Sequence, residues 1–144
     1  MAEPVTPALI IGPAIALGAL IGAYEALVIH RDVTVLAHRF GHTAHAFILS
    51  ITFVFCTMNT EFVLRLIPAL KTIPLIGTAI GIQIIIGLIA AFKIHGVSQA
   101  LKTGGGGPGL GETWFHSILI GALIIAAPYA YPVVAPILPS WIKF

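Results

Sequence analysis

Charge is scarce in this chain. Seven Lys and Arg and five Asp and Glu make up 8% of its 144 residues, where soluble domains carry about 25%. A water-exposed surface cannot be built from so few charges. With 58% hydrophobic residues and a mean hydropathy of +1.06, the composition is that of an integral membrane protein. The same shortage, with a net charge of only +2, excludes a basic nucleic-acid patch and an acidic tail. The single cysteine, Cys56, excludes an intrachain disulfide. It sits in an apolar segment and reads as a small packed side chain. No basic residue precedes the first apolar stretch, MAEPVTPALIIGP, so the positive n-region of a secretory signal is missing and that stretch reads as a retained span.

What the chain does have is long apolar runs. A spanning helix needs roughly 20 apolar residues, and four segments qualify, about residues 7–29, 44–67, 73–94 and 114–136. The expected fold is an all-α, single-domain membrane bundle of four transmembrane helices. Residues 30–43 form a polar, His-rich connector, residues 68–72 a tight turn around Pro68 and Lys71, and residues 95–113 a longer loop. That loop carries a Gly-rich stretch at 103–111, a flexible connector because glycine is costly to hold in a helix. A phosphate-binding loop is excluded: Gly111 is followed by Glu112 rather than Lys-Ser or Lys-Thr, and no strand precedes.

Small residues mark where helices approach closely in lipid. Ala14, Gly18, Gly22 and Ala26 form such a stripe, with Glu25 on nearly the same face and pointing into the contact. Gly77 and Gly81 suggest the same device in the third span, followed by Gln83. In the fourth span Pro128, Pro132 and Pro136 recur, with Pro139 beyond. Each removes a donor and crowds the preceding turn, so the regular helix is expected to end near Ala127. Tyr129, Tyr131 and Trp141 fit an aromatic belt at that end, and Trp114 one at the other.

The histidines are the chemical signal. His30, His38, His42, His45, His95 and His116 all fall at one end of an up-down-up-down bundle. If residues 38–63 form one helix, His38, His42, His45, Leu49, Thr52, Cys56, Asn59 and Val63 share a face. Glu61 lies nearly opposite and is expected to pair with Arg65 one turn on. The spacing HxxxHxxH lets imidazoles on one helix converge on a metal ion. The metal-ligand candidates are therefore His42, His45, His38, Glu25, His30, His95 and His116, with Asp32 and Glu112 available from the same side. Imidazole and carboxylate ligands suit zinc, iron or copper. Haem is the lesser alternative, with His45 opposite His95 or His116 as axial ligands and no CxxCH attachment motif. Glu25, the histidines and the Thr52–Asn59 stripe also suggest a proton relay, but nothing charged continues it past His45. The HxxxHxxH run resembles the histidine boxes of membrane di-iron hydroxylases and desaturases over residues 38–45 alone. Those enzymes use more boxes on larger chains, and no residue role follows from the likeness.

Two functions follow as expectations. The first is a small multi-pass subunit of a larger membrane complex, of the respiratory or monooxygenase type, with lipid and other membrane subunits as partners. The alternative is a stand-alone membrane metal-binding protein, a transporter or metal-dependent enzyme. A channel would need mid-depth polar groups on several helices, and only Cys56, Asn59 and Gln83 offer themselves. By the positive-inside rule Arg31, Arg39, Lys93 and Lys102 place the His side in the cytoplasm, against Arg65, Lys71 and Lys143 opposite.

Overall fold

The computed structural model describes residues 8–32, 36–103 and 114–142, with side chains outside residues 28–42, 97–98 and 100–103. Its elements in order are α1 (Gly12–Asp32), α2 (Leu36–Met58), α3 (Thr60–Leu66), a 3-10 turn (Pro68–Thr72), α4 (Ala79–Thr103), α5 (Trp114–Val134) and a second 3-10 turn (Ser140–Ile142). No strand occurs among the described residues, as the apolar runs require. Among the described residues two helices are long and apolar enough to cross a membrane, through Ala79–Gly96 and Trp114–Val134. A third qualifies only if α2 and α3 are taken together. Of α1 the fully described part is the apolar Gly12–Leu27, too short by itself to count as a span, so the described residues display two or three spans and not four.

The largest departure from the sequence reading lies in the second apolar segment. Residues 44–67 were expected to be one span, but the chain turns by 92° between α2 and α3. Asn59 sits at the elbow with φ −120° and ψ 50°, outside helical space. Its side chain explains the break. Asn59 Oδ1 accepts from the Ile10 N–H at 2.7 Å and Nδ2 donates to the Ile10 carbonyl at 3.1 Å. Nδ2 also reaches the Phe55 carbonyl at 2.8 Å. The amide thus pairs with the main chain ahead of α1, a partner that local sequence does not reveal.

The connectors also differ from expectation, the second being longer. Helix covers the described part of 30–43, and the third helix starts at Ala79 rather than Ile73 and runs on to Thr103. Of the Gly-rich stretch only Thr103 is described; residues 104–113 lie outside the described residues. Residues 73–78 form a turn in which the Ile76 N–H donates to the Pro74 carbonyl at 2.8 Å. Leu75 at its centre has φ 68°, the strained conformation of a γ-turn.

Close packing centres on two glycine crossings. Ala14, Gly18, Gly22 and Ala26 are all buried, and their partner is this chain's own α2. A Cβ on Gly18 would lie 2.5 Å from the Ile51 Cα, and one on Gly22 2.9 Å from the Phe47 Cα. The second crossing uses Gly87 and Gly121: a Cβ on Gly121 would lie 2.6 Å from the Gly87 carbonyl oxygen. Gly77 and Gly81 serve a different end from the one their spacing suggested, crowding the backbone of the preceding turn at Lys71 and Leu75. The core between these pairs holds Val54, Ile82, Ile86, Ile120 and Ile124.

The first crossing also fixes the rotation of α2. Ala46, Ser50, Val54 and Thr57 face inward when the backbone at Phe47 and Ile51 rests on Gly22 and Gly18. The expected polar seam is turned away: His45 and Thr52 are exposed and Leu49 and Cys56 half-buried. Thr52 satisfies its hydroxyl on its own helix, donating to the Ile48 carbonyl at 2.7 Å.

The fourth span also departs from expectation. α5 does not stop at Ala127 but continues through Pro128 and Pro132 to Val134, with turns only from Ala135. Pro128 cannot supply the N–H that the Ile124 carbonyl would accept. The Thr57 hydroxyl of α2 fills the gap at 3.1 Å, sharing its hydrogen with the Val54 carbonyl at 3.0 Å.

Candidate functional site

At the His-rich end the described structure brings three pairs together. Glu25 on α1 is 5% exposed, one turn from the Gly22 crossing, and accepts from the Ser50 hydroxyl of α2 at 3.3 Å. The small-residue face of α1 therefore carries a carboxyl into the helix contact, as its position relative to Gly18 implied. Next to it, the Tyr24 ring lies 5.8 Å from the buried His116 ring at the start of α5. On the far side of α5, His95 of α4 stacks on Trp114 at 3.7 Å and 17°. Phe92 meets the same indole edge-on at 5.6 Å. His95 Nδ1 and Ser117 Oγ are buried with no hydrogen-bond partner.

His45 stands outside these pairs, exposed on the outer face of α2. His30, Asp32, His38 and His42 lie on the described backbone of α1 and α2 at this end. Their side chains, and the whole of Glu112, lie outside the described residues. Among the described residues no three His, Cys, Asp or Glu side chains gather as a metal-holding group. His95 Nδ1 is one ring nitrogen here with a ligating position to spare.

A polar cluster that the sequence signalled only through Gln83 joins the other half of the molecule. The Tyr129 hydroxyl donates to Gln83 Oε1 at 2.7 Å. Gln83 Nε2 donates to the Thr57 carbonyl at 3.2 Å. That acceptor is free because the elbow at Asn59 ends α2 before a helical N–H can reach it. Thr57 in turn serves Ile124, so one chain of bonds ties α5 to α4, α4 to α2 and α2 back to α5. Gln83 Nε2 and Thr57 Oγ1 each reach a main-chain carbonyl that has lost its helical N–H. Such a chain holds helices in register and offers no nucleophile.

At the elbow a half-open notch of about 140 Å³ lies between the N-terminal residues and the α2–α3 bend. Glu61 and Arg65 line it. Their expected ion pair is replaced by a main-chain contact, Arg65 Nε donating to the Glu61 carbonyl at 3.3 Å.

Compared with protein-family models, curated proteins and solved structures, the chain matches none.

Proposed function

We propose that this chain is a small multi-pass subunit of a larger membrane complex, a four-span bundle in which α1 and α2 cross together alongside α4 and α5. The observation that carries this reading is the use made of the buried polar side chains. Thr57, Gln83 and Asn59 are bonded to main-chain groups, and Gln83 also to the exposed Tyr129. Large apolar side chains meanwhile cover the outside, including Leu20, Leu27, Phe92, Phe115, Val133 and Ile137. So much exposed apolar surface needs lipid or protein against it. A respiratory or monooxygenase-type metalloenzyme is the proposed partner class, because six histidines occupy the end that also carries Glu25. The proposed setting is the cell membrane, with the His-rich side cytoplasmic by the excess of basic residues there.

Native mass spectrometry of the protein extracted from its own membranes in mild detergent tests this. A heavier assembly with no metal retained on this chain supports the subunit reading. A lone chain or homo-oligomer with stoichiometric metal overturns it.

The second reading, metal binding by the chain itself, draws support from His95 Nδ1, a buried ring nitrogen with no hydrogen-bond partner. It requires metal content that disappears in His42→Ala, His45→Ala and His95→Ala variants. The subunit reading requires instead that these variants keep their assembly.

A further inference from the structure

The notch at the elbow opens beside the bundle core, to which Met58 and Ile10 belong. Its apolar walls include Leu9, Ile10, Met58 and Phe62, and its polar rim carries Glu61 and Arg65. At about 140 Å³ it is close to the roughly 150 Å³ of a cavity known to hold one benzene ring. It accommodates part of one acyl chain and not a whole lipid.

The rim is the informative part. Glu61 and Arg65 are one turn apart on α3, the spacing at which such residues normally pair, and both are exposed. Arg65 instead turns Nε to the Glu61 carbonyl. That leaves the terminal guanidinium nitrogens and the Glu61 carboxylate without an ion pair between them. The Asn59 amide beside them is already engaged with Ile10. Two uncancelled opposite charges above an apolar slot match a headgroup that carries a phosphate and an amine above an acyl chain. Guanidinium is the side chain best shaped for phosphate oxygens, and a carboxylate suits an ammonium group. The location agrees, since exposed Leu66, Ile67 and Trp141 lie at the same end of the bundle, where aromatic and apolar residues mark a membrane interface.

We propose that this notch binds one phospholipid with a zwitterionic, amine-bearing headgroup, its phosphate on Arg65, its amine on Glu61 and the start of an acyl chain against Leu9 and Phe62. The assignment rests on the membrane-embedded part of the reading above and not on the identity of any partner subunit.

The test is native mass spectrometry of the full chain purified in detergent, titrated separately with phosphatidylethanolamine and phosphatidylglycerol. Carbonate extraction of the source membranes is run in parallel. The expected result is a single phosphatidylethanolamine adduct, favoured about tenfold over phosphatidylglycerol. Arg65→Gln lowers it about tenfold, whereas Glu61→Gln removes the preference between the two lipids by admitting the anionic one. Leu9→Trp fills the slot without touching either charge and lowers both adducts, which covers the case in which an Arg65 variant fails to fold. Equal adducts in all variants, or a wild-type preference for phosphatidylglycerol, overturn the site while carbonate-resistant protein leaves the membrane reading standing. Protein stripped by carbonate overturns both.

Discussion

Thr57 Oγ1 lies 3.1 Å from the main-chain oxygen of Ile124, the acceptor that Pro128, four residues later, has no N–H to fill. A hydroxyl on one helix thereby completes the hydrogen-bond ladder of another. The proline passes through an unbroken α5 because a neighbouring helix replaces the donor it lacks, as is possible in apolar surroundings.

Thr57→Val, close in shape but without the hydroxyl, leaves that oxygen bare and is expected to cost about 1–2 kcal/mol. The companion change Pro128→Ala restores a donor within α5. In the double variant the loss should therefore shrink, and thermal unfolding of the four proteins of the cycle in detergent measures it. Equal losses from Thr57→Val with and without Pro128 would sink the account.

Gln83 is expected to matter more than Tyr129. Tyr129→Phe removes one bond at the partly exposed end of the cluster, worth about 0.5–1.5 kcal/mol. Gln83→Leu removes that same bond and also strands the buried Thr57 carbonyl, and a bare buried group costs about 1–3 kcal/mol more. Unfolding midpoints should fall in that order, and the two losses should be less than additive, because the bond they share can be lost only once.

Two glycines give opposite outcomes to the same kind of substitution. Gly18→Val places a branched side chain against the Ile51 backbone and should force α1 off α2, with a loss of about 3 kcal/mol or more of stability or no folded protein at all. At Gly96 a Cβ meets nothing within 4 Å. Gly96→Ala should therefore be neutral or stabilise α4 by about 0.4–1 kcal/mol. Monodisperse yield and melting temperature report both, and a well-folded Gly18→Val protein would contradict the crossing.

Asn59→Ala removes the two bonds that hold Ile10. The segment before α1 should then exchange its amide hydrogens faster at Ile10, and the elbow should lose its fixed angle. Hydrogen exchange read by mass spectrometry on peptides covering residues 8–12 checks this. Unchanged exchange there would show that the N-terminal segment is held by something other than Asn59.

The sequence was most legible where a single helix decides the outcome. The apolar runs locate α1, α4 and α5, and the stripe from Ala14 to Ala26 marks a real contact, with Glu25 carried into it. It was least legible where two helices decide together. The elbow is invisible in a run that stays apolar to Ile67, since what bends it is an amide finding the Ile10 main chain across the fold. The rotation of α2 follows from Gly18 and Gly22 on another helix, and it sends His45 and Thr52 outward although their spacing alone makes a tidy stripe. Pro128 looked like a helix end because its remedy, Thr57, is distant in sequence. Of the histidine layer, the structure adds the stacking of His95 on Trp114 and of His116 beside Tyr24, neither of which spacing could disclose.

The elbow at Asn59 also gives the bundle a foot. α3 leaves α2 at 92°, and its seven residues, Thr60–Leu66, run about 10 Å crosswise to α2 instead of prolonging it. Exposed Leu66 and Ile67 continue that course as an apolar edge set sideways. In a bilayer such an edge rests at the headgroup boundary and limits how deep the bundle can sink, which a straight second helix would not do.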